Sequence, residues 1–449
     1  MTELQTVVDE NGTVHTLTRR LGAGGQGTVW LTRGERRVVK LFSGSRDREA
    51  LQRRVAAVKI LNLRELHVAR PLALLRAPHV GYVAEFLSDM VPIRDLIAPP
   101  RGVPVASWYA GWGGLRRRLR LLAHAGEALS GLHARGLVYG DISHTNVFIS
   151  GPEEAEEAWL IDLDNVRHDS DPAGVVYTLG YGAPELVDTS RGPTSLSDSW
   201  AFAVLAFQVL GLVHPFCGDW VTEGDPELEE QAFAGKLPWV DHAIDARNQS
   251  SAGVPREKIF SKYLSELARR TFEDGLHDRM KRPGIAAWVD RLHQAADQTV
   301  RCDGCDATYL AKFPQCTWCD RRRPPLVRVR IQRWEPGAGI VDAMGTVSTL
   351  PMTAEPLVLT RRHTRAHVGI RARTAEATLQ LRERGLEIRT HGVEAWVTPL
   401  GAKDEAHALA IPPDRKKTLP LGPEGQGCVV HFEPLDRSHR VVVVEGGSR

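Results

Sequence analysis

Eight residues near the start of the chain, Gly22-Ala23-Gly24-Gly25-Gln26-Gly27-Thr28-Val29, restrict the fold more than any other stretch. They fit the pattern G-x-G-x-x-G-x-V, in which glycines let a backbone pass close to a phosphate where side chains would block it. Such a loop opens a dinucleotide-binding fold when it runs from a strand into a helix. Here Thr28–Leu31 is β-branched and aromatic and continues as a strand. A second apolar run, Val38–Leu41, follows across Arg33-Gly34-Glu35, so the spacing predicts a hairpin. Strand, glycine loop and strand together suit a lid over a nucleotide's phosphates. On the loop alone a plain flexible hairpin remains the alternative.

Three further segments carry groups suited to phosphate chemistry. Lys40 closes the triplet Val38-Val39-Lys40, where a strand can hold an ammonium against the α/β-phosphates. The run LVYGDISHTNVFIS places Asp141 and Asn146 five residues apart ahead of an apolar strand. That spacing lets an Asp accept a hydroxyl proton while an Asn reaches a Mg²⁺ ion. In WLIDLDN, Asp162 ends a short apolar strand and is placed to bridge metal and phosphates; Asp164 could share this task, but the register of Leu160-Ile161 favours Asp162.

With these residues in order, positions ~13–295 resemble a eukaryotic-type (Hanks-type) serine/threonine protein kinase catalytic domain. Ala183-Pro184-Glu185 stands in place of that family's A-P-E. LSDSWAFAVLAFQVLGLVHPF resembles its buried helix, with Asp198 near the start, and Arg282-Pro283 resembles the late R-P motif whose arginine pairs with the A-P-E glutamate, here Glu185. The resemblance implies that Asp141 positions and deprotonates the substrate hydroxyl, that Asn146 and Asp162 hold Mg²⁺, and that Lys40 holds ATP. Gly22, Gly24 and Gly27 would cover the triphosphate, Leu21 and Val29 would also contact ATP, and Glu85–Leu87 would form the adenine-binding hinge. A helix glutamate should pair with Lys40; Glu49 is the choice and Glu65 the runner-up. Departures are present too. The H-R-D motif reads Tyr139-Gly140-Asp141, Ser143 replaces the usual lysine, and D-F-G reads Asp162-Leu163-Asp164. Loss of the H-R-D arginine removes the usual partner of an activation-loop phosphate, so activity is expected without phosphorylation of Ser170 or Thr178.

The chain has 449 residues, which at about 100–200 residues per domain allows two to four domains. Four of its six cysteines form Cys302-x₂-Cys305 and Cys316-x₂-Cys319, a zinc-ribbon pattern of four thiolates that can close a tetrahedral, structural Zn²⁺ site. Disulfides and an iron–sulfur site are the alternatives; Cys217 and Cys428 sit in apolar segments and are expected to be buried. Residues 300–325 show no strand or helix period. Beyond them VRVRIQRW, PLVLTRR, AHVGIRA, LEIRT, VEAWVTP, GCVVHFEP and RVVVVEG read as strands of a β-sandwich or barrel. Charge is nearly balanced, 57 basic against 55 acidic, which argues against a whole-chain nucleic-acid binder, although Arg321–Arg449 holds 21 basic and 14 acidic residues. Trp200–Phe216 is too short for a membrane helix of about 20 residues and reads as a buried core helix.

The expected fold is therefore α+β. A bilobal kinase domain over 13–296, with a β-rich N-lobe and a helical C-lobe, precedes a small zinc ribbon over 300–323 and an all-β domain over 325–449. The expected function is an ATP- and Mg²⁺-dependent serine/threonine protein kinase, cytoplasmic, acting on protein substrates, with no membrane or nucleic-acid partner. A pseudokinase scaffold that binds nucleotide and partner proteins without phosphotransfer is the alternative. The architecture is similar to that of kinases in bacterial tellurite-resistance-associated systems, which implies a stress-response role with a cognate phosphatase and a von Willebrand A domain protein as partners.

Overall fold

The computed structural model describes residues 5–24, 27–43, 48–169, 177–189, 192–341, 348–366, 372–404, 406–421 and 426–445. The chain divides into two units, Met1–His293 and Gln294–Arg449.

The first unit opens with strands β1 (Thr6–Val8), β2 (Val14–Gly24), β3 (Gly27–Thr32) and β4 (Arg37–Phe42), then helix α1 (Arg48–Ile60) and strands β5 (Ala73–Leu74) and β6 (Gly81–Glu85). They form a six-stranded antiparallel sheet in the order β1-β2-β3-β4-β6-β5. Gly34 and Glu35 both have positive φ, 95° and 51°, which turns the β3–β4 hairpin where the sequence predicts it. Because successive side chains of a strand face opposite ways, β4 serves two surfaces. Val39 joins Val7, Leu17, Ala73, Leu75 and Val83 in one core. Val38 lies on the other face among Val55 of α1, Tyr82 and Ala84, and Lys40 shares that parity.

The remainder of the unit is mainly helical. Strand β7 (Met90–Pro92) precedes α2 (Val105–Gly111) and α3 (Gly114–His133); then come β8 (Leu137–Val138), β9 (Val147–Ser150), β10 (Ala158–Leu160), α4 (Pro184–Thr189) and α5 (Ser195–Gly211). Strands β10, β9 and β7 form a small antiparallel sheet. Helix α5 starts at a capping box between Thr194 and Ser197 and is buried on nearly every side, Trp200–Phe207, Val209 and Leu210 included, as the apolar run requires. Among the described residues no helix is long and apolar enough to cross a membrane.

In the second unit, Thr299–Arg301 and Thr308–Leu310 pair as a two-stranded sheet beside the cysteine cluster. These strands were not expected: three residues each are too short to show a period. Beyond them lie a seven-stranded sheet, with Val327–Glu335 and His439–Glu445 at its centre, and a four-stranded sheet built on Ala375–Arg382 and Gly385–Thr390. Val329, Ile331, Val430, Val442 and Val444 from the first sheet share one core with Leu359, Leu379, Leu386 and Ile388 from the second. Two sheets closing one core make a β-sandwich. Most of the AHVGIRA run lies outside the described residues, and the strand beside it is Ala375–Arg382. Cys428 is buried, whereas Cys217 is half-buried.

Candidate active site

The loop between β8 and β9 places Asp141 and Asn146 together. Thr178 Oγ1 donates to Asp141 Oδ1 at 2.8 Å, and Asn146 Nδ2 donates to Oδ2 at 3.0 Å and to the Asp141 carbonyl at 2.9 Å. Asn146 Oδ1 lies 3.5 Å from Thr145 Oγ1, which donates to it. Asp198, buried on α5, holds the loop itself: its carboxylate accepts from the backbone N–H groups of Tyr139 and Gly140 at 2.8 and 2.9 Å, and lies 3.0 Å from His133 Nε2. Burial pushes the Asp141 pKa above its ordinary value and the like charge of Asp162 adds to this, while the bonds from Thr178 and Asn146 oppose it. A raised carboxylate is a better proton acceptor.

Lys40 enters from β4, 6% exposed. Its ammonium pairs with Asp162 Oδ1 and with Asp164 Oδ2. Burial alone would lower a lysine's pKa; here Asp164 and Asp162 outweigh it, and Lys40 titrates above its ordinary value. Asp162 adopts the left-handed conformation, φ 61°, and opens a short 3₁₀ turn, Leu163–Asn165. The two carboxylates differ in setting: the Asp162 side chain is 31% exposed and that of Asp164 is 1% exposed. Burial and the like charge of Asp162 push the Asp164 carboxyl up, against the pull of the Lys40 ammonium.

The pairing of Lys40 with Glu49 is corrected by this geometry. Glu49 is exposed in the first turn of α1, and Glu65 is exposed in the loop after it. Leu51, Val55 and Val58 form the buried stripe of α1, and at about 100° per residue Glu49 falls about 150° away from that stripe. The phase of the helix, not its distance along the chain, removes Glu49 from Lys40.

The glycines of the β2–β3 loop divide by role. A Cβ on Gly27 would lie 2.0 Å from the Leu41 carbonyl oxygen, so strand packing alone demands glycine there, whereas at Gly22 and Gly24 it would meet nothing within 4 Å among the described residues. Open space above these two leaves room for a ligand. Leu21 is 39% exposed, and Val29 is half-buried opposite Lys40 in the β3–β4 register. Glu85 ends β6 exposed and Leu87 is half-buried just beyond it. Residues 25 and 26, and Ser170, lie outside the described residues.

Two donor sets suit cations. Asn146 Oδ1 and the part-exposed Asp162 carboxylate are hard oxygen donors, and the buried Asp164 Oδ1 has no hydrogen-bond partner among the described residues. In the second unit, Cys302 Sγ lies 3.5 Å from Cys319 Sγ, and Cys305 Sγ lies 3.7 Å from Cys316 Sγ; all four sulfurs lie within 4.8 Å of one another. A tetrahedron with Zn–S near 2.3 Å has edges of about 3.8 Å, while a disulfide needs about 2.05 Å. The sulfurs therefore fit zinc and are unbonded to one another.

Below the site, Arg282 grips Glu185 through two hydrogen bonds of 2.7 Å and lies over the Trp200 ring, 4.9 Å from its centroid. Sequence reasoning missed two supports, His133 under Asp198 and the buried Tyr82 beside Asp164. Tyr82 was visible only as one apolar residue of β6.

Comparison with known proteins agrees with this geometry. The chain is 27% identical over 306 residues to the serine/threonine-protein kinase Pkn1 of Myxococcus xanthus, covering 64% of this chain and 38% of that protein. It is 24% identical over 337 residues to the protein kinase YegI of Escherichia coli (strain K12), covering 70% and 50%. With PkaB, a serine/threonine-protein kinase of Streptomyces coelicolor, identity is 26% over 228 residues, covering 46% and 51%. The chain thus spans about half or less of the length of these relatives. The profile of the protein kinase domain matches residues 16–291, and with Lys40, Asp141, Asn146 and Asp162 converging on one site the chain belongs to the protein kinase family.

Proposed function

We propose that this chain is an ATP- and Mg²⁺-dependent serine/threonine protein kinase. The observation that carries the reading is the Asp141 carboxylate held between Thr178 and Asn146, on a loop fastened by Asp198. Lys40 would hold the α/β-phosphates of ATP, and the β2–β3 loop would cover the triphosphate. Asp141 would accept the proton of a substrate hydroxyl as its oxygen attacks the γ-phosphorus and the bond to the β-phosphate oxygen breaks, releasing ADP. Mg²⁺ held by Asn146 and Asp162 would supply neutralising charge for the triphosphate. Ser143 is buried and 2.9 Å from Thr145 Oγ1, so it brings a hydroxyl and no cation to the loop; turnover is expected to be slower for that reason.

In this reading the ribbon zinc is structural and the β-sandwich recognises a protein substrate or partner. Domain limits of 13–296, 300–323 and 325–449, a cytoplasmic setting and a stress-response role alongside a phosphatase and a von Willebrand A domain protein complete the proposal. Its test is transfer of labelled phosphate from ATP to the chain itself and to a generic protein substrate. Asp141→Ala is expected to lower the rate about 10²–10⁴-fold, the usual contribution of a general base. Equal transfer by wild type and variant, or none by either, would favour a nucleotide-binding scaffold.

A further inference from the structure

A buried ammonium needs a counterion, and the family pattern supplies it from a glutamate on the helix after the Lys40 strand. In this chain α1 has one acidic residue, Glu49, and it lies on the exposed side of the helix. The face that α1 buries is Leu51, Val55 and Val58. Val55 packs with Tyr82, the β6 partner of Lys40, so the place where a helix carboxylate would sit is apolar. Where the family has the glycine of D-F-G, this chain has Asp164, and its carboxylate reaches Lys40 from a turn that packs against α1.

We propose that Asp164 replaces the helix glutamate as the standing counterion of Lys40 and is the positioning residue that aims its ammonium at the nucleotide phosphates. This rests on reading the site as a phosphotransfer site. Asp162 also pairs with Lys40, but its side chain is 31% exposed and open to a cation, whereas the Asp164 side chain is 1% exposed, with Oδ2 on Lys40 and only Oδ1 unpartnered among the described residues. One short turn then carries both carboxylates, the first for metal and the second for Lys40. In consequence the ion pair uses no side chain of α1.

The test is a double-mutant cycle on the full chain with Asp164→Asn, Lys40→Met and both together. It is read by single-turnover phosphotransfer at several Mg²⁺ concentrations and, separately, by thermal unfolding. Asp164→Asn should lower the single-turnover rate by about 10²-fold, as expected for a misplaced group, should add nothing in the Lys40→Met background, and should be partly rescued by Asp164→Glu. A loss that persists beside Lys40→Met and moves with Mg²⁺ would make Asp164 a metal ligand and overturn the proposal. So would wild-type rates in Asp164→Asn. If wild type transfers no phosphate, the kinase reading fails while the unfolding cycle still decides the pair. Shifts in Tm smaller than additive support the pairing, and strictly additive shifts refute it.

Discussion

Glu185 and Arg282 lie 97 residues apart in the chain, yet their side chains meet through a paired contact that is 15% and 1% exposed. Arg282 cannot shed its charge, so removing its partner leaves a buried cation unpaired. Glu185→Ala is therefore expected to destabilise the first unit by about 3–5 kcal/mol. Chemical denaturation would check this, and a loss below about 1 kcal/mol would mean that the pair is solvated. The pH dependence has a definite sign. Burial opposes the Glu185 charge, but Arg282 prevails and lowers its pKa below 4.5. The stabilisation is thus complete above pH 4.5 and is lost as pH falls through the lower folded value. At this scale, placements that depend on local spacing were legible. Asp141 and Asn146 share one loop, and Asp162 follows β10 by two residues. The partner of Lys40 was not legible, because helix phase and strand face together decide which carboxylate arrives.

Elements were readable where they repeat. The run RVVVVE alternates between two cores, with Val442 and Val444 in the core shared by the two sheets and Val441 and Val443 in a separate cluster with Trp334. AEATLQLR escaped notice although Ala377 and Leu379 alternate in the same way. Its short apolar side chains and polar neighbours weaken the contrast that marks a strand. The cysteine knuckles need no period, since two residues between cysteines already hold a pair of sulfurs close. A single equivalent of zinc is expected in the purified chain, measured by elemental analysis. It should be lost in Cys302→Ser/Cys319→Ser, with loss of protection in the Val300–Tyr309 hairpin that packs on Cys302 and Cys316. Retention of full zinc in that variant would place the metal elsewhere.

At the scale of the whole molecule, buried histidines make folding sensitive to acid. In the second unit, His431 is fully buried, 3.0 Å from His439 Nε2 and 3.1 Å from Thr398 Oγ1. Burial and the neighbouring His439 lower its pKa to about 3 from 6.5. Between those values the unfolded chain binds a proton that the folded unit refuses, so stability falls as pH drops, by about 1.4 kcal/mol per pH unit. Thermal scans from pH 7 to pH 4 should show the transition of the second unit descending, and His431→Gln should flatten that dependence; an unchanged slope would assign the acid sensitivity to other groups. The sequence alone determined the protein kinase architecture, the loop that holds Asp141 and Asn146, the four-cysteine knuckles and the all-β character of the last third. Each of these is written in residues close together along the chain. The tertiary structure decided which carboxylate holds Lys40, which glycines face open space and which histidines are sealed from water. Those outcomes depend on burial and on groups as far apart as Lys40 and Asp164, whose encounter no local spacing encodes.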